Sequence, residues 1–142
     1  MLDADRSSDD RLDRRLAYGV LRLTLGVNIL LHGLVRVGNL GGFADGLAEG
    51  FSETILPAPL VRLSAYGIVI AEVGIGALLT VGLWTRWALV AGGLLMTVLV
   101  FGTALRQDWG TLGSQMVYAF LYFALLFART YDYYSLDQLR RR

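Results

Sequence analysis

Arg22, Asn28, His32 and Glu72 stand inside long runs of apolar residues. Ionisable and hydrogen-bonding side chains at bilayer depth are costly, so they pair with one another, line a cavity or carry protons and ligands. A carboxylate and an imidazole could exchange protons there. A guanidinium could neutralise the carboxylate, whose burial as a lone anion would be prohibitive. Arg22 and Glu72 are therefore the expected ion pair. Counted inward from the expected cytoplasmic ends of their helices, they lie about 9 Å and about 15 Å deep at 1.5 Å per residue. Asn28, His32 and Arg36 recur every four residues and share one helical stripe. Gln115, Tyr118 and Tyr122, spaced three and four apart, share another. Arg22, Asn28, His32, Glu72, Gln115, Tyr118 and Tyr122 are thus the candidate ligand-binding residues. Two interpretations stay open. In one, the polar layer is structural, an ion pair with Tyr118 or Asn28 as a satisfying neighbour. In the other, it lines a pocket for a polar head such as that of a quinone, with apolar walls from Leu30, Met96 and Phe120 and hydrogen bonds from Tyr118 or His32.

The elements that hold these residues are four apolar runs, about Leu16–Leu34, Leu60–Leu83, Trp87–Leu105 and Leu112–Phe127. A helix of about 17–25 apolar residues crosses the hydrocarbon core and satisfies its own backbone. Hydrophobic residues make up 55% of the 142, and the mean hydropathy is +0.52. The expected fold is all-α, an integral membrane four-helix bundle. Residues 1–15 form a polar N-terminal segment, 16–129 the four-span bundle and 130–142 a cytoplasmic tail. Residues 1–15 are too charged for a signal peptide, so the first span is expected to stay in the mature protein. Between the first and second spans, Phe43, Leu47 and Phe51 alternate with Asp45, Glu49 and Glu53 at helical spacing. That pattern predicts a short extracytoplasmic amphipathic helix on the membrane surface.

Arginines set the orientation. The N-terminal segment, Arg86 and the tail hold most of them, which places both termini in the cytoplasm of an inner-membrane, multi-pass protein. The net charge of +1 offers no field for nucleic acid. The chain has no Cys and one His, which removes thiol chemistry and leaves no expected metal site. Small residues such as Gly26, Gly33, Gly74, Gly76 and Gly92 let helices approach closely.

Several motifs in order resemble the DoxX-like family. They are Leu21-Arg22-Leu23-Thr24-Leu25-Gly26, Leu31-His32-Gly33-Leu34, Leu56-Pro57-Ala58-Pro59, Ala71-Glu72-Val73-Gly74, Gly82-Leu83-Trp84-Thr85-Arg86 and the tail Tyr134-Ser135-Leu136-Asp137. The resemblance spans roughly residues 16–137. It implies a four-helix membrane bundle akin to small subunits of thiosulfate:quinone oxidoreductase. No catalytic residue and no built-in cofactor are assigned, and electron transfer by this chain alone would need a bound quinone. The leading expectation is a quinone- or lipid-binding subunit of a membrane oxidoreductase system. Membrane lipid and a redox-enzyme partner protein would be its partners, and the chain could also form an oligomer. The alternative is a non-enzymatic scaffold or assembly factor that docks partners on the Phe43–Phe51 helix.

Overall fold

The computed structural model describes residues 2–140, with side chains from Asp9 onward. It is all-helical, and four of its helices are long and apolar enough to cross a membrane. Helix α1 (Leu2–Val37) runs without a break from the polar N-terminal segment into the first span, since no Pro or Gly pair interrupts it. At its end Asn39 caps the next helix, its side-chain oxygen accepting from the Gly42 amide at 3.2 Å. Helix α2 (Leu40–Gly50) follows. Pro57 sets the entry to α3 (Ala58–Val81), and Pro59 occupies its first turn, where a missing N–H costs nothing.

Gly82 then takes a left-handed conformation, φ +70°, and reverses the chain. Helices α4 (Thr85–Leu105) and α5 (Trp109–Phe127) complete the four spans. Asp108 caps α5 by accepting from the Thr111 amide at 3.1 Å. A short 3-10 turn (Arg129–Tyr131) and a one-turn helix α6 (Leu136–Leu139) return the tail to the end of the bundle that holds the N-terminal segment. Arg14 donates to the Tyr131 hydroxyl there at 2.8 Å.

The bundle is built from two close helix pairs, α1 on α3 and α4 on α5, joined along α3 and α4. Glycines set the first pair. A Cβ on Gly26 would sit 2.6 Å from the Thr80 backbone nitrogen, and Gly76 and Gly33 face Leu30 and the Glu72–Val73 backbone with equally little room. Backbones this close maximise dispersion contacts where lipid supplies no hydrophobic drive. In the second pair, the Tyr122 ring fills the notch left by Gly92. Helix α5 touches α1 only lightly. The outer faces carry Val20, Leu63, Ile70, Leu94, Phe120 and Phe127, all exposed, and these meet the lipid.

The expected amphipathic helix is present as α2, but its apolar edge turns inward. Ala44 and Ala48 are buried against α3, Phe51 is 7% exposed, and Asp45 and Glu49 face out. Its aromatic side covers one end of the bundle, with Phe43 and Leu47 half-buried.

Candidate functional site

The polar residues inside the bundle fall at three levels, not one. The register of α1 on α3 decides this. Gly26 meets Leu79–Thr80, Leu30 meets Gly76, and Gly33 meets Glu72–Val73. Glu72 therefore lies level with Leu34, about 18 Å from Arg22 along the helix axis. The expected Arg22–Glu72 pair does not form. Arg22 lies shallower than its distance from Leu16 implies, because α1 continues past the end of α3 by several turns.

Arg22 instead closes the end of the bundle near the termini. Its guanidinium donates to the carbonyl oxygens of Leu79, of Thr80 (3.3 Å) and of Tyr134 (2.7 Å). The first two belong to the last turn of α3, where carbonyls lack helical partners and the helix dipole favours a cation. The third pins the tail. Asp137 completes the knot, accepting from the Trp84 and Thr85 amides at 2.8 and 2.7 Å, and its own amide donates to the Gly82 carbonyl. Trp84 is held at φ +47°, a region unfavourable for a bulky residue, and the carboxylate on its amide helps to hold it there. Asp132 is buried beside this cluster. Burial raises its carboxyl above the usual carboxylate range, and the Arg22 charge opposes only part of that. The Arg22, Gly82–Arg86 and Tyr134–Asp137 motifs are thus one structural unit.

At mid-bundle the Tyr118 hydroxyl donates to Asn28 Oδ1 at 3.2 Å, the main polar link between α5 and α1. Both line a cleft of about 340 Å³ with Leu21, Thr24 and Leu121. Tyr122 lies within electrostatic reach of Glu72 and Tyr118, and its hydroxyl and Glu72 Oε2 are buried without a hydrogen-bond partner among the described residues. Glu72 pairs with Arg36, which also stacks over the Phe43 ring at 4.7 Å. Arg36 stood in the Asn28–His32 stripe but at its end, and that end is where the register puts the carboxylate. His32 turns to the exposed side of α1, and its Nδ1–H donates to the Asn28 carbonyl of its own helix at 2.9 Å. It takes no part in an internal site. Nor do the expected walls enclose one: Met96 is core, Leu30 packs on Gly76, and Phe120 faces lipid.

The third level is a partly open cavity of about 360 Å³ at the end of the bundle away from the termini, lined by α2, α3, α4 and α5. Leu47, Leu60, Ile68, Val98 and Leu99 make its body apolar. Its polar groups are few and placed. Gln115 Nε2 donates to Thr103 Oγ1 at 2.8 Å, and the other half of that amide is buried with no partner among the described residues. Arg36 and Arg106 stand at the rim, and Arg106 lies over the Phe51 ring at 5.6 Å. Mostly apolar walls with a few convergent polar groups are the usual form of a small-molecule site. Of the residues expected from sequence, Gln115 alone lines this cavity, while Asn28 and Tyr118 line the smaller cleft. Nothing in the sequence marks Arg106 or Thr103 as site residues: Arg106 falls at the end of a span, where an arginine ordinarily meets headgroups, and the spacing of Thr103 does not set it facing inward.

A family model described as DoxX matches residues 17–105. No curated protein and no solved structure shows significant similarity to the chain.

Proposed function

This multi-pass membrane protein belongs to the DoxX family, and on that premise we propose that it is an amphiphile-binding subunit of a membrane oxidoreductase system, holding a quinone or lipid in the cavity between α2 and α5. One observation carries the reading: an apolar chamber of about 360 Å³ that ends in the Thr103–Gln115 pair and two guanidinium groups. The unpaired buried atom is Gln115 Oε1, an acceptor, and leaving it so is costly; a ligand hydroxyl, such as that of a quinol or a lipid glycerol, would donate to it. A quinone ring would find hydrogen-bond donors at Arg106, Thr111 and Gln115, with Leu60 and Val98 beside its faces. Such a quinone would supply the redox capacity. The chain's own residues would bind and orient it, and α2 would keep water from the apolar part of the cavity. The partner would be a redox enzyme in or at the membrane. The arginine-rich termini support a cytoplasmic location for both ends, with α2 and the cavity outside. Single cysteines at Asp10 and Ser52 in this cysteine-free chain test that: an impermeant thiol reagent added to intact cells should label Ser52→Cys only.

The binding test is mass spectrometry of extracts from the detergent-purified protein, followed by titration with a short-chain quinone analogue read by tryptophan quenching. Retained quinone or lipid and saturable binding are expected. A double change, Thr103→Val with Gln115→Leu, should weaken binding about tenfold or more while leaving helix content intact, as loss of one or two hydrogen bonds to the head predicts. A folded wild-type protein that retains neither class and shows no saturable binding would turn the assignment to a scaffold without ligand.

A further inference from the structure

Arg106 lines a second cavity as well, of about 330 Å³, together with Ser52, Glu53, Thr54 and Gln107. One guanidinium is therefore shared by an apolar chamber and a polar groove. Arg106 is the C-terminal cap of α4, and Glu53 follows the end of α2, so the groove lies at the ends of the spans, the level of lipid headgroups. Neither Arg106 nor Glu53 has an ion-pair partner among the described residues. The groove thus offers a cation beside the tail chamber, within the electrostatic reach of Asp108, and an anion on its own wall, neither held in a direct ion pair among the described residues.

From this arrangement we infer that the occupant is a phospholipid with a phosphoethanolamine head. Its phosphate sits on Arg106, its ammonium donates to Glu53, and an acyl chain fills the chamber. Charge complementarity selects this head over the alternatives. An anionic glycerol head would leave Glu53 unpaired and repel it. A choline head carries the same charge but has no N–H to donate to the carboxylate. Ser52 and Gln107 supply further hydrogen bonds to the head without adding charge, while the Thr54 hydroxyl is taken up by the Phe51 carbonyl and the Leu56 amide. This inference rests on the proposed reading of the cavity as an amphiphile site.

Native mass spectrometry of the whole chain, released from micelles containing equal phosphatidylethanolamine, phosphatidylglycerol and phosphatidylcholine, tests it. The wild type should retain phosphatidylethanolamine over either competitor by about tenfold, the ratio that one good charge contact provides. Arg106→Gln should lower retention of all three. Glu53→Gln should leave total retention nearly unchanged and abolish the preference for phosphatidylethanolamine over phosphatidylglycerol. Both positions are at the surface, so folding is not at issue. Val98→Phe, which fills the chamber, should displace every lipid. If lipid binds without headgroup preference, if Glu53→Gln keeps the wild-type order, or if quinone is retained in place of lipid, the headgroup inference falls while the amphiphile site stands. If the wild type retains nothing, both fall.

Discussion

The Arg36–Glu72 pair gives the sharpest energetic prediction. The Glu72 side chain is 4% exposed, whereas that of Arg36 is 30% exposed. Removing one partner of a fully buried pair typically costs about 3–5 kcal/mol, because it strands the other charge. Arg36 is partly open and water at the bundle end screens it, so a smaller coupling is expected, about 2 kcal/mol, between the surface and buried limits. That is roughly a thirty-fold change in the folded-to-unfolded ratio. The perturbation is a double-mutant cycle with Arg36→Met and Glu72→Gln, set beside a second cycle with Arg22→Met and Glu72→Gln. The assay is reversible unfolding in mixed micelles of increasing dodecyl sulfate, followed by helix circular dichroism. In the first cycle the double mutant should be more stable than the summed single effects by about 2 kcal/mol. In the second, the effects should add to within about 0.5 kcal/mol, because no shared partner links Arg22 and Glu72. Additivity in the first cycle, or coupling in the second, would refute the register derived from Gly26, Gly33 and Gly76.

Two further outcomes follow from the knot near the termini. Asp137→Ala should destabilise the α3–α4 turn by about 1–2 kcal/mol through loss of the cap on α4, and amide exchange at Trp84 and Thr85 should rise with it; unchanged protection would refute the capping role. Asp132, whose carboxyl is raised by burial, binds a proton more readily folded than unfolded. Its contribution therefore favours folding below the usual Asp range and is lost as pH rises through the raised folded value. Asp132→Asn should accordingly remove part of the stability that the wild type gains on acidification, measured as the difference in unfolding free energy between pH 7 and pH 4. A pH slope identical in the two proteins would contradict this.

Apolar run length determines the four membrane-spanning helices, since a continuous apolar run of about 17–25 residues is the length of a helix across hydrocarbon and satisfies its backbone within itself. It also marks which residues pay most for being there. Arg22, Glu72, Tyr118 and Tyr122 are legible as polar groups at depth, because depth and helical stripe are local properties of a sequence, whereas the Asn28–Tyr118 contact is not. Partnership is not local. The axial register of α1 on α3 is set by glycines that admit a facing backbone, and a shift of several residues along the axis exchanges one arginine for another. That shift gives Glu72 to Arg36 and sends Arg22 to the carbonyls of Leu79, Thr80 and Tyr134. The cavity was less legible still. Its walls come from α2, α3, α4 and α5, and its existence depends on α2 folding its aromatic edge inward over the bundle. The alternation of Phe43, Leu47 and Phe51 predicts an apolar face but not what that face covers. Only the packed helices decide that it closes over a chamber with Arg106 at its mouth.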